Sequence, residues 1–74
     1  MNVFEIDALP MVGQWAYVIH RYERGHSYGE VYLGEHASGS GFATKGDALR
    51  AAADRLDAEF GGEWFYKPSE NSRK

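Results

Sequence analysis

The stretch from Gly41 to Gly62, "GFATKGDALRAAADRLDAEFGG", holds one complete secondary-structure element together with its start and stop signals. Thr44, with Asp47 three residues later, makes a capping box with Asp in place of Glu, set just before "ALRAAADRL". Leu49, Ala52, Ala53, Leu56 and Phe60 fall on one side of a period of about 3.6 residues, and Asp47, Arg50, Ala51, Asp54, Asp57 and Ala58 fall on the other. Gly61 is a natural left-handed stop. The spacing predicts a helix from Lys45 to Phe60 with an apolar face toward a core and a mostly acidic face toward solvent.

Upstream the period changes to two. "NVFEIDAL" alternates, with Phe4 and Ile6 on one side and Val3, Glu5 and Asp7 on the other, and reads as a first strand. Pro10 and Gly13 interrupt it, and "QWAYVIHRY" then supplies the aromatic and β-branched side chains of a second strand. "ERGHS" is a glycine-containing turn and "YGEVYLGEH" a third strand, so the two form a hairpin. Setting Tyr22 opposite Tyr28 pairs Ile19 with Val31, Tyr17 with Leu33 and Trp15 with Glu35 on the face toward the helix, and Val18 with Tyr32 and His20 with Glu30 on the other. "ASGSG" reads as a flexible loop or wide turn, with Phe42 opening a short extended segment before the helix. After the helix, "EWFYKP" is too aromatic for a free tail and is expected to return to the helix or to a sheet edge.

These elements define an α+β class: a small antiparallel sheet of three to four strands packed on one amphipathic helix in the C-terminal half, in the order β-β-β-(β)-α with an aromatic tail segment. Residues 1–68 are expected to form a single domain and 69–74 a flexible polar tail. At 74 residues the chain suits one domain, and a core of that size contributes only about 3 to 5 kcal/mol, so a partner or a second copy is a natural reinforcement. The chain has no cysteine, which excludes disulfides and thiolate metal sites and fits a reducing cytoplasm. It shows no signal-like or membrane-spanning run. Eleven acidic residues against eight basic give a net charge of -3, which disfavours direct binding to nucleic acid backbones and suits a protein partner with a basic surface.

Catalytic machinery is not expected. His20, His26 and His36 do not converge on the proposed hairpin, so no metal site is assigned. The serines fall in turns, loop or tail, and "GSGFATKG" lacks the Gly-Lys-Ser/Thr end of a phosphate loop, so neither a nucleophile nor a cofactor cradle is assigned. Asp54 and Asp57 lie on an open helix face, where burial cannot separate their pKa values for acid-base work.

Two surfaces are left as partner-binding candidates. One is acidic: Asp47, Asp54, Asp57, Glu59 and Glu63 on and after the helix, with Glu30 on the sheet, partly compensated by Arg50 toward Asp54 and Arg55 toward Glu59. The other is the outer sheet face with Tyr22, Tyr28 and Tyr32, suited to stacking bases or to a protein or homodimer contact. The run of strands followed by "FATKGDALRAAADRL" resembles small βββα-type proteins of bacteria and phages, among them antitoxin-type modules and some anti-CRISPR inhibitors. The resemblance spans roughly Gln14 to Phe60 and rests on an aromatic or aliphatic strand end, a threonine and an alanine-rich helix. It implies a small cytoplasmic protein of a bacterial or phage-infected cell that binds and blocks a basic nucleic-acid-handling protein, and it carries over no family functional residue. The alternatives are a nucleic-acid-binding or regulatory module using the tyrosine face, or a self-assembling structural protein.

Overall fold

A computed structural model of the chain describes residues 2–24 and 30–67, including every side chain among them except those of Arg24 and Glu30. His26, Ser27, Tyr28, the Glu30 carboxylate and the tail from residue 68 onward lie outside the described residues. The elements are β1 (Asn2–Met11), β2 (Gln14–Arg24), β3 (Glu30–Phe42), α1 (Lys45–Phe60) and β4 (Phe65–Tyr66). They form a four-stranded sheet in the order β3-β2-β1-β4 with one helix against one face, an α+β fold.

β1 and β2 are joined by a two-residue turn, Val12–Gly13, with Gly13 at φ 74° in the position that requires a left-handed residue. β4 runs parallel to β1, so the sheet is mixed and its fourth strand follows the helix. Gly61 and Gly62, at φ 64° and 82°, turn the chain back after α1 and direct it along the free edge of β1. Phe42 does not open a separate segment; it ends β3.

The expected β2–β3 register is corrected. Tyr22 pairs with Tyr32, Ile19 with Ala37, Tyr17 with Gly39, Trp15 with Phe42, Val18 with Ser38 and His20 with Glu35. The expected "ASGSG" loop is strand as well. Two causes account for the difference: at the hairpin end the pairing already starts four residues further along β3, with Arg24 opposite Glu30 and Tyr22 opposite Tyr32, and three register shifts then each insert one more residue into β3 and re-phase the alternation on which a register is read. Gly34 and Gly41 lie at two of these irregularities with φ 115° and 92°, conformations that residues with a Cβ rarely adopt. At the third, His36 is placed on the helix side of the sheet, its ring 5.2 Å from that of Phe4 and 5.8 Å from that of Phe60.

The helix spans Lys45–Phe60 as its spacing predicts. The Thr44 side chain accepts from the Asp47 N–H at 3.0 Å, and Gly61, in the left-handed region, donates its N–H to the Asp57 carbonyl. Its buried positions are Ala48, Ala52 and Leu56; Leu49, Ala53 and Phe60 are half-buried. Ala51, expected outside, packs against the core cluster. These side chains close over Phe4, Ile6, Tyr17 and Ile19. Full burial of a side chain such as Leu56 or Ile19 contributes about 1.5 to 3 kcal/mol. The other sheet face has no helix over it.

Candidate functional site

The expected acidic surface divides into parts with different duties. Asp47 sits in the first turn of α1, where a carboxylate is favoured by the helix dipole, and accepts from Arg50 Nη1 at 3.2 Å. Arg50 therefore pairs with Asp47, not with Asp54 as its spacing suggested. Asp47 is also two helical turns from Asp54, about 10 Å at 1.5 Å per residue, so the row is not one patch.

Asp57 and Glu59 lie in the last turn of α1 and Glu63 just beyond it, with Asp54 three residues before Asp57, and that last turn carries no basic residue. There the helix dipole is itself negative and disfavours carboxylates within the last turn. Internal partners offset two of them. The Trp64 indole Nε1 donates to Asp57 at 2.8 Å. Glu59 meets His36 Nε2 at 2.6 Å and accepts from Arg55 Nε at 3.3 Å, and Arg55 continues to the Tyr17 hydroxyl at 3.3 Å. The hydrogen bond from His36, supported by Arg55, lowers the Glu59 pKa below its usual value. Asp54 and Glu63 are exposed, and their carboxylates make no hydrogen bond or ion pair among the described residues.

The second candidate surface is the uncovered sheet face. The register brings Tyr22 and Tyr32 together with ring centroids 5.3 Å apart, while Tyr28 lies outside the described residues. Both hydroxyls are tied to carboxylates of β1. Tyr22 donates to Glu5 at 2.9 Å, which gives the nearly buried carboxylate a partner. Tyr32 lies 3.0 Å from His20 Nδ1, and His20 Nε2 lies 3.0 Å from Asp7. Because a carboxylate only accepts, the neutral imidazole carries its proton on Nε2 and takes the Tyr32 hydroxyl as donor on Nδ1. Burial, reinforced by the hydrogen bond to Glu5, pushes the Tyr22 phenol up to about 12. Above its ring stands the Lys67 ammonium, 5.0 Å from the centroid.

His20 thus meets Asp7 and Tyr32, and its partner in register is Glu35 rather than the expected Glu30. His20 and His36 lie on opposite faces of the sheet, because the irregularity between them turns His36 to the helix. Sequence reasoning missed the participation of Glu5, Asp7 and Lys67. The alternation in "NVFEIDAL" does place Glu5 and Asp7 on one side; what was absent was a pairing of β1 to β2 that would set that side against Tyr22 and His20. No protein-family model, curated protein or solved structure matches the chain.

Proposed function

We propose that this chain is a non-catalytic binding protein that presents carboxylates to a basic protein partner. The observation that carries this reading is the run of carboxylates Asp54, Asp57, Glu59 and Glu63 along the C-terminal half of α1 and just past it, with Asp57 and Glu59 at the negative end of the dipole and Arg55 as the one described cation among them. That arrangement costs stability in the free chain, and a cationic partner docking on the helix end would relieve it. Its finer form draws on the small size, the acidity and the resemblance noted above: a phage or mobile-element inhibitor of the anti-CRISPR type, acting in the cytoplasm by blocking a basic nucleic-acid-handling protein.

The uncovered sheet face favours a protein over a nucleic acid as partner, since Glu5, Asp7 and Glu35 outnumber its cations among the described residues and would repel phosphates. Self-pairing through β3 is opposed by its three irregularities, which blunt an edge strand.

The test uses Asp54→Lys and Glu63→Lys, at positions without structural partners among the described residues. The immobilised full chain is incubated with nuclease-treated bacterial lysate, and each retained protein is then purified and assayed for nucleic acid binding with the chain present. The expected result is retention of a basic protein that is lost at high salt and in the double variant, together with displacement of its nucleic acid. Retention indifferent to the charge reversal would remove the helix end as the docking surface.

A further inference from the structure

Tyr22 and Tyr32 stand side by side on the uncovered face, and their surroundings repeat. Tyr22 donates its hydroxyl directly to Glu5, and Tyr32 reaches Asp7 through His20. A phenol bonded to a carboxylate or to an imidazole backed by one has an electron-rich ring, whose face attracts cations. The chain itself uses this property, placing the Lys67 ammonium over the Tyr22 ring. The Tyr32 ring has the same support and is 53% exposed, and no described lysine or arginine is placed over it. Glu35, exposed and paired in register with His20, adds a carboxylate beside it.

We propose that the Tyr32 ring, with Glu35 and the Asp7–His20 pair beside it, is a recognition site for an arginine side chain of a basic protein segment. Arginine suits the site better than lysine because its planar guanidinium stacks on an aromatic face while its edge hydrogen bonds to a carboxylate. This inference rests on the basic-partner reading and adds to it a second contact on the opposite side of the sheet from α1. The partner would then grip the chain at two acidic places, the helix end by charge alone and the sheet face by charge and ring together.

The test is a titration of the isotopically labelled full chain with a nine-residue arginine peptide at low ionic strength, followed by nuclear magnetic resonance. Shifts are expected at Tyr32, His20 and Glu35. Tyr32→Phe keeps the ring but loses the hydroxyl's bond to His20 and should weaken binding about twofold to threefold, whereas Tyr32→Leu keeps only the apolar bulk and should weaken it further, about fivefold to tenfold. Glu35→Gln should weaken it about twofold to fivefold without disturbing the fold. Equal affinity of the Phe and Leu variants would overturn the proposal. So would shifts confined to Asp54, Asp57 and Glu63, an outcome that leaves the basic-partner reading standing. Loss of saturable peptide binding at both surfaces would sink the two together. Shifts at Tyr32 caused by a thymidine oligonucleotide and not by the peptide would overturn the inference in favour of a nucleic acid ligand.

Discussion

Tyr22 and Gly39 show how a single residue ties fold to surface. With its pKa pushed up to about 12, Tyr22 stays protonated in the folded chain through a window where the unfolded phenol, near 10, ionises. A group whose folded pKa is raised contributes stability that is complete below its unfolded value and is lost as pH rises through the folded one. Unfolding free energy should therefore decline between about pH 10 and 12. Ring-carbon resonances followed through an alkaline titration should show Tyr22 ionising near pH 12, and Glu5→Gln should lower its midpoint. An unchanged midpoint in that variant would mean that Glu5 contributes nothing. Gly39 matters for space: a Cβ there would lie 2.7 Å from Tyr17 Cε2. The Tyr17 ring is buried, rests on Phe42 and accepts from Arg55, so it has little freedom to yield. Gly39→Ala is expected to cost about 1 to 3 kcal/mol in urea denaturation, and a cost near zero would show that the ring can move aside.

Among the elements, the helix and β3 differ in how openly the sequence declares them. Every determinant of α1 is local: Thr44 and Gly61 act within one turn of the ends they define, and the apolar positions repeat at the helix's own period. Its start and stop could therefore be read before any tertiary contact was known. The determinants of β3 are not local, because the residues inserted around Leu33, His36 and Gly41 are defined only against β2. The expected register puts Tyr22 and Tyr32 on a shared face but opposite Tyr28 and Val18, so their pairing with each other depends on the observed register, and the Asp7–His20–Tyr32 chain spans three strands and needs two registers at once. One irregularity makes an inter-element tie: His36 meets Glu59, joining β3 to α1. A carboxylate with a lowered folded pKa contributes stability that is present above its unfolded value, 4.5 in the reference state, and is lost as pH falls through the folded one. Parent and Glu59→Gln should thus differ in urea midpoint at neutral pH and converge in acid below that window. Parallel curves at all pH values would show that the tie does not stabilise the packing of α1 on β3.

Taken as a whole, the molecule has a small core, and the segment after the helix completes it. Phe4 is fully buried in the middle of the sheet's helix face, and it is covered by Phe60 at 5.2 Å, His36 at 5.2 Å and Trp64 at 6.2 Å between ring centroids. Trp64 comes from neither the helix nor the three long strands; it is brought there by the two glycines and held by β4 pairing with β1 and by its bond to Asp57. A domain this small retains only a few kcal/mol, so opening the roof over Phe4 should be felt globally. Trp64→Ala is expected to cost about 2 kcal/mol, which at this size lowers Tm by about 10 °C. Trp64→Phe keeps an aromatic roof but removes the donor, for a smaller cost of about 1 kcal/mol. The two variants separate stability from function: both release the Asp57 carboxylate at the helix end. If that end is the docking surface, Trp64→Phe should bind a basic partner at least as tightly as the parent while melting lower. Weaker binding by this variant, measured well below its Tm, would place Trp64 itself in the interface and shift the proposed contact from the carboxylates to the indole.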